Sequence, residues 1–117
     1  MNATIEERTF QFSRSVVLFA RDLWKNPEGR ILAQQLIRSA TSVGANVTEG
    51  RESSSRKQFA QYLQIALRSA RETAFWLRLI AESSSSSETL NRLRQENNEI
   101  SKILAASILR MKNINQK

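Results

Sequence analysis

Only three points in this sequence interrupt a pattern of residues that otherwise suits continuous helices. They are Lys25-Asn26-Pro27, the segment from Gly50 to Ser55, and a run of five serines at 83–87. The four segments between these points have similar lengths, and short connections force consecutive helices to run antiparallel. The sequence therefore predicts an all-α protein, an antiparallel up-down four-helix bundle, formed as one domain by residues 1–117.

Composition supports helices in all four segments. The chain has three Gly and one Pro, and it is rich in residues that lose little side-chain freedom in a helix. Capping residues and apolar spacings of three and four predict helices at roughly residues 4–24, 27–49, 55–82 and 87–113. We expect Gly50 to end the second helix.

The third helix carries more apolar surface than one bundle needs to bury. One stripe runs from Phe59 to Leu77 at helical spacing. A second stripe contains Tyr62, Ile65, Trp76 and Leu79. Because one stripe is enough to face the core, the second predicts an interface between copies of the chain.

Several classes of protein are disfavoured by what the chain lacks. It has no Cys and no His, which argues against disulfides, a zinc site, a thiol nucleophile and an imidazole base. We therefore expect no enzyme activity, no metal and no cofactor. No run of residues is apolar enough to cross a membrane, and Glu6, Glu7 and Arg8 interrupt any signal-peptide core. A cytoplasmic protein without a membrane partner is expected.

The charge points towards polyanions. Eighteen Lys and Arg stand against eleven Asp and Glu, a formal net charge of +7, and most of the cations are Arg. A basic surface of this kind is typical of nucleic-acid binding. The alternative is that the charge serves only solubility. The placement of the cations has to decide between nucleic-acid binding and solubility.

Arg68, Arg71 and Arg78 form a row on the third helix. Their spacings of three and seven put them on one face about 15 Å long, with Phe75 among them. Such a row would follow several phosphates, and Phe75 could stack on a base. Glu72 lies four residues from Arg68 and is expected to neutralise it. The alternative interpretation is a solvated helix face.

A second basic cluster lies in the connection before the third helix. Arg51, Arg56 and Lys57 surround serines at a helix N-terminus, where free backbone N–H groups favour phosphate. Ordinary capping with solvated charges is the other interpretation.

The second helix ends in a run of small residues at 39–50. Gly44 is unfavourable inside a helix, so it predicts a close approach by another helix. Ser42, Asn46 and Glu49 share a face with Arg38, and these four side chains are predicted to form a polar network. Either the network stabilises the end of the bundle or it binds a ligand. Arg38 is also a candidate phosphate contact.

The fourth helix carries Asn97 in its apolar stripe. A polar residue in such an apolar stripe can set the register between helices. A solvent-facing position at the edge of the stripe is the alternative.

The central part of the chain resembles a known bacterial family. The resemblance covers Gln35 to Gly50, then Ser55-Arg-Lys-Gln-Phe59, Leu63, Ile65-Ala66, Glu72 and Trp76-Leu77. The family is the bacterial four-helix-bundle proteins encoded in intervening sequences of large-subunit ribosomal RNA genes. It is similar to the accessory variability determinant (Avd) of diversity-generating retroelements.

One motif carries most of this resemblance. The family's signature has the form Ser-Ile/Val-x-x-Asn-Ile/Val-x-Glu-Gly, and the chain fits it from Ser42 to Gly50. Thr48 stands where Ala is common, and Arg51-Glu52 replaces the aromatic residue or Gly that often follows. The resemblance implies a ring-like homopentamer that offers basic residues to RNA or DNA. In the retroelement branch it also implies a reverse transcriptase as partner.

The leading hypothesis is a non-catalytic, homo-oligomeric nucleic-acid binder. Its predicted phosphate contacts are Arg38, Arg51, Arg56, Lys57, Arg68, Arg71 and Arg78. The alternative is a protein-interaction scaffold of the same family that does not itself bind nucleic acid.

Overall fold

Polar side chains cap the N-termini of the helices. The computed structural model describes residues 3–84 and 87–115, with side chains as far as Asn113. Each cap accepts a hydrogen bond from a backbone N–H three residues further on, which satisfies a donor that the helix leaves free. The caps are Thr4, Asn26, Ser55 and Ser87. The helices are α1 (Ile5–Leu23), α2 (Pro27–Arg51), α3 (Arg56–Ser83) and α4 (Glu88–Asn115).

These bounds lie within two residues of the predicted ones, and the end of α2 shows why they differ. The prediction that Gly50 ends this helix is wrong, because the helix continues to Arg51 and no glycine has positive φ. Gly50 is needed for a different reason. A Cβ there would lie 2.8 Å from Phe59 Cδ1 and 3.0 Å from Tyr62 Cβ, so its absence lets α3 approach α2.

Each helix packs against the next one along the chain, and α1 closes the bundle against α4. The predicted all-α four-helix bundle is confirmed. Its core contains apolar side chains from all four helices. The largest that are fully buried are Leu36, Leu63, Leu77, Ile80, Leu90, Ile100, Leu104, Val16, Val43 and Val47.

Small and polar residues set the distances and register between helices. At Gly44 a Cβ would lie 3.2 Å from the carbonyl oxygen of Thr9, so the close approach predicted here is made by α1. Asn97 is only 2% exposed, and its Nδ2 donates to the carbonyl oxygen of Ala70 at 2.9 Å. The solvent-facing interpretation of Asn97 is therefore wrong. This hydrogen bond fixes the register of α4 relative to α3.

Candidate nucleic-acid interface

Arginines from two helices line a groove between α3 and α4. Arg71 and Arg78 lie on the α3 side, and Arg94 lies on the α4 side. The groove has a volume of about 540 Å³, and amide side chains of α4, including Asn98, complete its wall. The arrangement combines cations with hydrogen-bonding groups along one concave surface.

A second groove continues along the same two helices towards the C-terminal end of α4. Arg68 and Arg71 line it from α3, and Lys112 lines it from α4. Arg71 belongs to both grooves, so the two form one continuous surface. We call Arg68, Arg71, Arg78, Arg94 and Lys112 the α3–α4 basic seam. It extends about 27 Å along α4, from the rise of a helix between Arg94 and Lys112.

Most cations of the seam have no carboxylate partner among the residues that the structure describes. Arg78 is the exception, since its Nε lies 2.9 Å from Glu82 Oε2 on the same helix. The ion pairs of the described residues include none made by Arg68, Arg71, Arg94 or Lys112. Their charge is therefore available to an external anion.

The expected neutralisation of Arg68 by Glu72 is not observed. Glu72 Oε2 instead accepts a hydrogen bond from Trp76 Nε1 at 2.9 Å and pairs with Arg38. The indole hydrogen bond is the largest cause that lowers the pKa of Glu72, and the guanidinium of Arg38 lowers it further. Because this carboxylate is held by other donors, Arg68 keeps its charge for the seam.

The same contacts separate Arg38 from the seam. Arg38 lies between α2 and α3, where it donates to Gln35 Oε1 at 3.0 Å and pairs with Glu72. Its charge is compensated inside the protein. Among the seven predicted phosphate contacts, Arg38 is thus one that already has a carboxylate partner on a neighbouring helix.

The loop cluster lies at the end of the bundle rather than in the seam. Arg51 Nε is 3.1 Å from Glu6 Oε1, and its guanidinium lies 5.1 Å from the centre of the Phe59 ring. Arg56 lines the same pocket as Arg51, and Lys57 is exposed beside it. The structure therefore divides the predicted phosphate contacts into three groups. They are the residues of the α3–α4 basic seam, the loop cluster of Arg51, Arg56 and Lys57, and Arg38 in its ion pair with Glu72.

The predicted polar network forms in part. Asn46 Nδ2 donates to the carbonyl oxygen of Ser42 at 2.8 Å, and Ser42 Oγ lies 2.9 Å from Ser69 Oγ of α3. Glu49 is exposed, and among the described residues no donor bonds its side-chain carboxylate. The network connects α2 to α3, which favours the structural interpretation over a ligand site.

The second apolar stripe of α3 is partly uncovered. Ile65 is 39% exposed and Leu79 is 37% exposed. Tyr62 and Trp76 are half-buried. Unlike the core stripe, these four side chains keep apolar surface that the protomer does not bury.

Sequence reasoning missed the contribution of α4 to the interface. Arg94 and Lys112 have no distinctive spacing of their own, and they join the seam only because α4 returns antiparallel beside α3. The one available signal was Asn97. With Asn97 beside Ala70, the antiparallel register places Arg94 between the levels of Arg71 and Arg78 on α3.

Four antiparallel helices with a basic groove between α3 and α4 define a small helical-bundle protein, and this groove is its candidate site. A family model described as 23S rRNA-intervening sequence protein matches residues 1–106. The chain belongs to this family, as the resemblance around Ser42 to Gly50 indicates.

A solved structure has a fold similar to that of this chain. It is a protein of unknown function from the S23 ribosomal protein family of Bacteroides thetaiotaomicron, similar to this chain with 28% sequence identity and a TM-score of 0.83. The similarity covers 90% of this chain and 98% of the other. The chain matches no curated protein sequence. No helix in the described part of the chain is long and apolar enough to span a membrane.

Proposed function

We propose that this protein is a non-catalytic nucleic-acid-binding accessory protein of the cytoplasm, and that the α3–α4 basic seam contacts the phosphate backbone. The observation that supports this most directly is the position of Arg68, Arg71 and Arg94. They line one continuous groove surface without carboxylate partners among the described residues. Arginines in this state bind phosphate well, because the guanidinium is planar and weakly hydrated.

The proposed binding follows charge and shape rather than base sequence. A seam about 27 Å long, with cations on two adjacent helices, suits the backbone of a structured RNA or a DNA duplex. Sequence specificity would then come from a partner. If the chain belongs with the accessory variability determinant, as its sequence resemblance implies, that partner would be a reverse transcriptase.

Homo-oligomerisation belongs to the same proposal. The partly exposed stripe of Tyr62, Ile65, Trp76 and Leu79 would pack against another copy, and the family resemblance suggests a pentamer. Repeating the seam around a ring would convert a few weak phosphate contacts per protomer into avid binding.

The test is the salt dependence of binding. Affinity for a structured RNA and for a duplex DNA would be measured by fluorescence anisotropy between about 50 and 200 mM salt. The variant Arg68→Gln/Arg71→Gln/Arg94→Gln should bind more weakly. If each Arg contacts one phosphate, its log-log slope should be smaller than that of the wild type by about 2 to 3.

A matched control separates specific contacts from net charge. The variant Arg14→Gln/Arg21→Gln/Lys102→Gln removes the same charge from exposed positions outside the seam. It should leave most of the affinity and slope unchanged. An equal loss in both variants, or no binding by the wild type at the lowest salt, would contradict the proposal.

A protein-interaction scaffold is the second candidate, and the exposed apolar side chains favour it. Under this alternative Arg68→Glu/Arg71→Glu/Arg78→Glu would leave function intact. Disrupting Trp76 or Leu79 would instead abolish assembly or partner capture. Both candidates expect assembly to fail when the apolar stripe is disrupted, so the arginine variant is the experiment that separates them.

A further inference from the structure

A pocket outside the seam lies where the four helices meet at one end of the bundle. It is formed by the start of α1, the end of α2, the start of α3 and the end of α4. Its volume is about 320 Å³. The residues that line it divide into an apolar floor and a basic rim.

The floor reaches the hydrophobic core. Leu63 and Leu104 lie at the bottom and are only 2% and 1% exposed. Ile5, Phe59 and Met111 are half-buried around them. An apolar group in this pocket would therefore be removed from water on several sides, which is the main source of affinity for small ligands.

Three arginines form the rim. Arg51 forms part of the pocket wall, where it lies over the Phe59 ring. Its charge is already compensated by Glu6. Arg56 has no ion pair among the described residues, and Arg110 donates only to the neutral Ser107 Oγ at 3.3 Å. The rim thus has two guanidinium groups whose charges the described carboxylates leave uncompensated.

We infer that this pocket binds an amphipathic organic anion, whose carboxylate or sulfonate pairs with Arg56 and Arg110 while its apolar body lies on Leu63, Leu104 and Met111. A purely apolar ligand would gain no contact from the two exposed guanidinium groups of Arg56 and Arg110. A simple inorganic anion would leave the apolar floor of the pocket in contact with water. The volume suits a ligand of roughly ten non-hydrogen atoms, from about 30 Å³ for a group of the size of water.

Octanoate is a suitable probe, because it has ten non-hydrogen atoms and joins a carboxylate to an apolar chain. The Met111 methyl group, assigned with the variant Met111→Leu, provides a local NMR signal inside the pocket. Titration with octanoate should shift this signal saturably. Acetate carries only the charge and octanol only the chain, so each should bind at least about tenfold more weakly.

Variants at the rim test the charge contribution. Arg110→Gln and Arg56→Gln should each weaken octanoate binding by roughly fivefold to tenfold, since a charge-assisted hydrogen bond is lost. Arg14→Gln changes an exposed arginine of α1 and should leave the affinity unchanged. Circular dichroism of each variant would verify that the bundle is folded.

Three outcomes would overturn the inference. Octanol binding as well as octanoate would make the pocket purely apolar, and phosphate binding as well would make it a simple anion site. A Met111 signal that responds to protein concentration but not to octanoate would mean that another copy covers the pocket. Because no nucleic acid is present, these outcomes are independent of the proposed function of the seam.

Discussion

At the scale of single residues, Glu72 shows how one carboxylate decides the roles of its neighbours. It accepts a hydrogen bond from Trp76 and pairs with Arg38, so the charge of Arg38 has a carboxylate partner and Arg68 has none among the described residues. The same contacts lower the pKa of Glu72 from its usual value of 4.5, with the indole as the largest cause. Glu72 therefore stabilises the fold above its ordinary pKa, and this contribution is lost as the pH falls through the lowered pKa.

Trp76→Phe should weaken this pH dependence. Without the indole donor, the pKa of Glu72 rises towards 4.5, so the variant should lose less free energy of unfolding than the wild type between about pH 7 and pH 3. At neutral pH the lost hydrogen bond should cost less than about 1 kcal/mol, because the carboxylate is partly exposed. Urea denaturation at both pH values measures this. Phe75→Leu, at the neighbouring exposed aromatic, should keep the wild-type pH dependence.

At the scale of helices, the contact that closes the bundle is the one between α1 and α4. It is the least extensive of the four contacts between helices, and it carries a concentrated ion-pair cluster. Arg8 donates to both Glu96 oxygens at 2.6 and 3.2 Å and to Glu99 Oε2 at 2.9 Å. These two carboxylates, Glu96 foremost, raise the pKa of Arg8 above its usual value. Such two-point pairing is directional, so it orients α4 against α1.

Arg8→Met should destabilise the fold by about 1 to 2 kcal/mol at neutral pH. The methionine keeps an apolar stem, but Glu96 and Glu99 lose the cation between them. The difference should shrink in acid, where carboxylates are protonated. Arg14→Met, at an exposed position of the same helix, should change stability by no more than about 0.5 kcal/mol. Equal losses for Arg8→Met and Arg14→Met in urea denaturation would show that the cluster contributes nothing.

At the scale of the whole molecule, the bundle leaves part of the second apolar stripe of α3 uncovered. The bundle is long, with extents of 52 × 25 × 21 Å. Ile65 and Leu79, at 39% and 37% exposed, keep apolar surface on α3 that the proposed assembly of several copies would cover.

Ile65→Glu/Leu79→Glu should therefore reduce the oligomer to a monomer. Charges in a packed apolar interface would have to be buried without partners, which is strongly unfavourable. Sedimentation velocity over a range of concentrations would measure the change. Phe10→Glu/Leu109→Glu alters two apolar residues that are exposed on α1 and α4, and it should leave the oligomer intact. A wild-type protein that sediments as a monomer throughout would contradict the assembly.

Much of the fold followed from local pattern. The caps at Thr4, Asn26 and Ser55 and the apolar spacing predicted four helices to within two residues, because these signals act within one turn of the chain. Gly50 was misinterpreted because helix termination and close packing both favour glycine. Only the position of Phe59 and Tyr62 on the facing helix distinguishes the two.

The sequence by itself determined the all-α class, the helix bounds, the core stripe, the family and the basic character of the surface. The tertiary structure decided which cations act together. Arg94 of α4 lines the same groove as Arg71 of α3, and Arg110 of α4 lines the same pocket as Arg56 of α3. Glu72 pairs with Arg38 of α2 instead of Arg68. All three arrangements depend on how the helices pack against each other. The physical reason is one of range. Helix formation depends on residues up to four positions apart, whereas a groove depends on the register of residues that lie far apart along the chain.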